Sequence, residues 1–141
     1  MPTISGTVVT FIPYEEAKSE LEKALDVQTG ETIAKLILEF GAGVVVGKFI
    51  KFLNKKINTQ IEKDFEEKLE KVYDAAVLGV SIADALNGDE NELITQLRIL
   101  DNRGKGYALR IETTYSEWIS GSGNHSCNYQ CENEYSIVLY T

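Results

Sequence analysis

The sequence predicts an α+β fold with an N-terminal strand, a helical middle and a β-rich C-terminal part. Three features carry this expectation. β-branched and aromatic residues concentrate near both ends, helical periodicity fills the centre, and Pro13, Gly30 and Asn87-Gly88 fall where one pattern gives way to the next. With 141 residues, 43% apolar and 26% charged, the chain has the size and composition of one domain with its own core. The expected division is a strand within 1–12, a helical region over 13–87 and a β-rich region over 93–141.

Thr7 to Ile12 is an unbroken run of β-branched and aromatic residues between Gly6 and Pro13, which predicts a short strand. Pro13 suits a helix start, and Glu15 and Glu16 complement the exposed amides of a first turn. Ala17, Leu21 and Leu25 give that helix one narrow apolar face, and Gly30 is a plausible stop. From Glu31 the helical pattern resumes with Ile33, Leu36, Ile37, Phe40 and Val44 on one face. Ala34, Leu38 and Val45 make the opposite side apolar as well, so burial on most sides is expected. Gly41, Gly43 and Gly47 either admit a neighbouring backbone or break the helix, and the valines at 44 to 46 would also fit a strand.

Lys48 to Leu86 carries the clearest signal. Ile61, Phe65, Leu69, Val72 and Ala76 form a stripe, and Ile50, Ile61, Val72 and Ala83 recur every eleven residues. An eleven-residue repeat holds an apolar face nearly straight along a helix at ~3.67 residues per turn. An unbroken helix of that length would span ~58 Å, too long for a compact domain of this size, so it must bend, break or project to a partner. Residues 31–86 are therefore one rod or a hairpin folded at the glycines. Leu93 to Leu100 fits helix or strand, Asp101 to Gly106 is turn chemistry, and Tyr107 to Trp118 and Tyr135 to Tyr140 are strands. Strands at both chain ends invite pairing around the helical insertion.

A net charge of −8 disfavours nucleic-acid binding, although such a surface suits an inhibitor that mimics nucleic acid. The N-terminus lacks the basic and apolar regions of a secretory signal. The longest uncharged stretch of the most apolar region, Phe40 to Gly47, falls far short of the ~20 residues a transmembrane helix needs.

His125, Cys127 and Cys131 cluster in sequence, and thiolates with an imidazole are zinc ligands. They supply three ligands where a closed site needs four, so metal is the weaker alternative. A disulfide between Cys127 and Cys131 across a three-residue hairpin turn is preferred, and it would imply an oxidising or extracellular setting. That register would set Trp118 opposite Tyr140 and Ile119 opposite Leu139. A Cys-His pair without an orienting group makes no triad, the carboxylates lie on solvated helix faces, and Gly41-Ala42-Gly43 lacks the lysine of a phosphate loop. No catalytic residue, cofactor or enzymatic activity is expected.

The leading expectation is a non-enzymatic protein that binds a protein partner or itself. Its contact surfaces are expected to be the stripe Ile61, Phe65, Leu69, Val72 and Ala76 and an aromatic β-surface of Tyr115, Trp118, Tyr129, Tyr135 and Tyr140. The alternative is a membrane-active effector, toxin- or bacteriocin-like, that inserts the glycine-rich segment Phe40 to Leu53. There Phe40, Gly43, Gly47, Lys48, Phe49, Lys51 and Phe52 combine apolar and basic residues.

Overall fold

The computed structural model describes residues 3–27, 30–72, 85, 86, 88–118 and 128–141, with the backbone alone for 3, 69–72, 117, 118 and 128–130. In chain order the elements are β1 (Thr3–Pro13), α1 (Tyr14–Leu25), α2 (Ile33–Phe40), α3 (Ala42–Val72), α4 (Glu90–Arg103), β2 (Tyr107–Trp118) and β3 (Asn128–Leu139). The fold is α+β, as the sequence predicts.

The strands form one antiparallel sheet in the order β1-β2-β3. β2 pairs with β1 from Thr3↔Trp118 to Pro13↔Ala108, so the two ends of the chain do meet. Period-two alternation then sorts the faces. Ile4, Val8, Thr10 and Ile12 of β1 are buried on the helix-bearing side with Leu109, Ile111, Thr113 and Tyr115 of β2. Ser5, Thr7, Thr114, Ser116, Glu132 and Glu134 are exposed on the other side, the usual division for an antiparallel sheet covered on one face.

The register of the C-terminal hairpin corrects the expected one. Trp118 pairs with Asn128 and Tyr107 with Leu139, so the β2–β3 connection runs over 119–127. Trp118 is therefore not opposite Tyr140, and residues 128–130, expected as a three-residue turn, are strand. Cys131 stands within β3, half-buried and opposite Tyr115. Cys127 and His125 lie outside the described residues, and so does the disulfide or metal chemistry expected of them. The ambiguous segment after Leu93 is helical: Leu93, Leu97 and Leu100 are buried at helical spacing and Gly104 ends α4 at φ +75°.

The helical middle breaks at Gly41. Its φ of +90° is one an L side chain rarely adopts, and that turn separates α2 from α3. Gly43, the valines and Gly47 then continue as helix, and nothing lies within 4 Å of where a Cβ would stand on Gly43 or Gly47, so neither admits a close neighbour. The 31 residues of α3 span about 46 Å at 1.5 Å per residue.

Its buried row is Val45, Phe49, Leu53, Ile57, Ile61 and Phe65, spaced by four throughout. Each step of four residues turns 40° past a full rotation, so the row winds around the helix. It thereby serves α1 and α2 with its first half and β1 with its second. Ile61 and Phe65, expected as a contact stripe for a partner, lie instead in the chain's own core at 1% and 2% exposure. Of the eleven-residue repeat, Ile61 is buried and Ile50 is half-buried against the core, while the side chain of Val72 and all of Ala83 lie outside the described residues. The side chains of Leu69 and Val72, and Ala76 altogether, lie outside the described residues. Leu38, expected inside an all-round apolar helix, is 85% exposed.

Candidate interaction surface

The tyrosines expected on a recognition surface divide sharply. Tyr115 is 1% exposed, and its hydroxyl donates to Asp64 Oδ2 of α3 at 2.6 Å. Lys68 Nζ donates to the same oxygen at 2.8 Å and to the Ser5 carbonyl at 2.8 Å, and lies 5.7 Å from the centre of the Tyr115 ring. The inward position of β1 beneath this group is Gly6. A Cβ there would stand 2.3 Å from Asp64 Oδ2 and from Lys68 Nζ, so only glycine leaves room for the pair.

Tyr135 is half-buried, and its hydroxyl donates to Asp89, the residue that precedes α4. Asn133 extends this group by donating to the Ala85 carbonyl at 2.8 Å and accepting from the buried Thr113 hydroxyl at 2.7 Å. A third tyrosine follows the same rule. Tyr14 donates to Asp101 Oδ1 at 3.3 Å, and the Asp101 carboxylate also accepts the N–H groups of Ile33 at 3.0 Å and Ala34 at 3.1 Å. A side chain from α4 thus caps the N-terminus of α2, next to the cap that Thr32 supplies to Lys35 at 3.2 Å. Three aspartates of three different segments each hold a tyrosine from elsewhere in the chain. These tyrosines join the layers of the fold.

Burial raises the Tyr135 hydroxyl pKa well above the ordinary tyrosine value, and its hydrogen bond to Asp89 raises it further. Tyr14 is raised in the same direction, first by burial and then by Asp101. A raised folded-state pKa gives stability that is fully present below the unfolded value near 10 and lost as pH rises beyond it. Unfolding free energy should therefore fall above pH ~10, by at most about 1.4 kcal/mol per pH unit for Tyr135. Urea titrations of wild type and Tyr135→Phe from neutral pH to pH ~12 should show the variant's curve as the flatter one. Parallel curves would mean that the hydroxyl is not held by Asp89.

Tyr140 is 44% exposed and is the member of the expected aromatic set that reaches solvent among the described side chains; those of Trp118 and Tyr129 lie outside them. It continues the hairpin by donating its N–H to the Gly106 carbonyl at 2.7 Å. Its ring stands 5.5 Å from Phe11, centre to centre, on the face of the sheet away from the helices. Ala108, flanked by the same strands on that face, is fully buried. Leu139, opposite Tyr107 on the helix-bearing face, is 71% exposed. Tyr107 in turn lines an open groove with Arg98, Ile99, Asn102 and Arg103, and the Arg103 guanidinium lies 5.8 Å from its ring centre.

Phe11, Ile99, Leu139 and Tyr140 therefore gather around one end of the sheet. Sequence reasoning found only Tyr140 of this group. The consecutive apolar pair Leu139-Tyr140 was a usable signal, because a strand covered on one face cannot hide both. Phe11 gave none, since Val8, Val9, Phe11 and Ile12 do not alternate with polar residues.

Among the described residues no group of His, Cys, Asp and Glu could hold a metal ion, and no helix is long and apolar enough to cross a membrane. The membrane candidate also divides. Phe49 is fully buried, Phe40 and Phe52 are half-buried, and Gly43, Gly47, Lys48 and Lys51 are exposed. No family model, curated protein or solved structure matches the chain.

Proposed function

We propose that this chain is a non-catalytic binding protein whose contact surface is the open end of the sheet. Ile99, Tyr107 and Leu139 would form its apolar floor and Arg98 and Arg103 its rim, with Phe11 and Tyr140 extending it around the end of the sheet on the opposite face. The observation that carries this reading is concentration: of the six large apolar side chains exposed among the described residues, four lie at that end, Ile99 and Leu139 beside Tyr107 on the helix-bearing face and Phe11 with Tyr140 on the other. Exposed apolar side chains scattered singly need no explanation, but two pairs at one end of the sheet on a chain of net charge −8 do.

The rim indicates the partner's chemistry. Two arginines beside an apolar floor favour a segment of another protein that carries carboxylates among apolar residues. β3 is an edge strand, and it carries Glu132 and Glu134 on its first half but no proline, glycine or charge from Tyr135 to Thr141. An extended segment could add to that unguarded second half by main-chain pairing. The non-catalytic part of the reading is supported by the use of Asp64, Asp89 and Asp101 as internal anchors.

Selection of displayed random peptides on the wild-type protein tests this. Enriched peptides should alternate acidic and apolar residues and bind Leu139→Asp and Arg103→Glu at least about tenfold more weakly, as loss of a central interface contact does. Peptides that bind both variants as well as wild type would remove the reading. A concentration-dependent dimer lost in Leu139→Asp would assign the same surface to a second copy.

A further inference from the structure

We propose that a second surface, the elbow between α2 and α3, docks the intact fold on an anionic lipid bilayer without any helix entering the hydrocarbon. The segment 32–61 carries five lysines and one acid in a chain of net charge −8. Val44, Lys48, Lys51 and Lys55 follow at helical spacing and fall within about a 60° sector of α3 at 100° per residue. All four are exposed, and the ammonium groups of the three lysines make no ion pair or hydrogen bond among the described residues. Lys56, on a different side, is bound to Glu16.

Among the described residues, the two large apolar side chains exposed away from the end of the sheet are Leu38 at 85% and Val44 at 49%, and each lies three residues from Gly41. Lys35 is exposed one turn before Leu38 on α2, and Gly43 and Gly47 leave the first turns of α3 open to solvent. Cations set among exposed aliphatic tips match a bilayer interface, where headgroups meet lysines and the acyl boundary takes apolar tips. A nucleic-acid backbone would leave Leu38 and Val44 unused. Phe49 and Leu53 face the core, so the helix has no apolar face to insert without unfolding. Glu20 of α1 lines one groove with the three lysines, so the acidic surface begins at the edge of the row.

Each lysine near an anionic surface is worth roughly fivefold in partition, so three give about a hundredfold. Burying one aliphatic tip adds about tenfold or more. Sedimentation with vesicles of phosphatidylserine and phosphatidylcholine, against phosphatidylcholine alone, tests the proposal on the whole chain. Wild type should pellet with the anionic vesicles only and leave a trapped dye inside. Lys48→Glu/Lys51→Glu/Lys55→Glu should bind more than about a hundredfold more weakly, since each change removes one attraction and adds one repulsion, and Leu38→Ser, which leaves the charge unchanged, about tenfold more weakly. These positions are exposed, and an unchanged urea midpoint would show that the variants fold. Failure of wild type to bind anionic vesicles, equal binding by the triple variant, or release of dye would each overturn the proposal.

Discussion

Phe49→Ala is expected to lower the unfolding free energy by about 3–5 kcal/mol, the range for removing a fully enclosed phenylalanine. Phe49 has no exposed surface, stands 6.2 Å from Phe52 between ring centres, and shares the α1–α3 groove with Leu21. Alanine there leaves a cavity that rigid neighbours cannot fill, since α1 is also tied to α3 through Glu16 and Lys56. Urea denaturation should show the loss as a lower midpoint with an unchanged slope. Lys48→Glu, one residue away but exposed, should stay within about 0.5 kcal/mol of wild type. This contrast separates a core helix from a lipid-seeking one. If Phe49→Ala cost less than about 1 kcal/mol, the aromatic side of α3 would be available for insertion, as the sequence alone suggested.

The elements that were legible are those whose pattern is local. β1 and α1 follow from β-branched residues, Pro13, and the Ala17 and Leu21 spacing, because each has one face against the core. α3 misled in a specific way. Counting apolar residues between 50 and 83 finds an eleven-residue repeat, whereas the buried row described over 45–65 is spaced by four and winds around the helix. A winding row is partly polar when projected on any single face, so a straight stripe is the wrong template for it. α4 had its signal in Leu93, Leu97, Leu100 and Gly104, but Ile94 and Ile99 obscured it by filling the intervening faces.

The contact surfaces were less legible because they depend on what the fold leaves over. Tyr115 and Tyr135 resemble recognition residues in composition, yet their aspartate partners lie 51 and 46 residues away in sequence. No spacing rule finds such pairs. The cysteine spacing suggested a tight turn, but β3 begins at Asn128, opposite Trp118, and that shift replaces every expected cross-strand neighbour. Leu38 and Val44 are exposed because Gly41 turns the chain sharply, which a sequence with three nearby glycines does not single out.

Asp64→Ala should be the most damaging substitution of a polar residue, at about 2–4 kcal/mol, because one carboxylate oxygen serves two donors. Its side chain is 27% exposed and that of Lys68 36%, so the lysine can turn to water when its partner is lost. The Tyr115 hydroxyl has less freedom, because the residue is 1% exposed beneath α3. Most of the loss should therefore come from stranding that hydroxyl, and a double-mutant cycle can isolate it. Tyr115→Phe alone should cost about 1.5–3 kcal/mol, the range for a hydrogen bond to a charged group. Once Asp64 is alanine, the same change should cost at least about 1 kcal/mol less, because the hydroxyl has already lost its acceptor. Gly6→Ala supplies an independent probe of the same contact. Its new methyl group would meet Asp64 Oδ2, Lys68 Nζ and, at 3.0 Å, the Tyr115 ring, so it should be destabilising in wild type and milder when Asp64 is alanine. Strict additivity in both cycles would mean that the three groups are neighbours without acting together, and the join between α3 and the sheet would then rest on the apolar row alone.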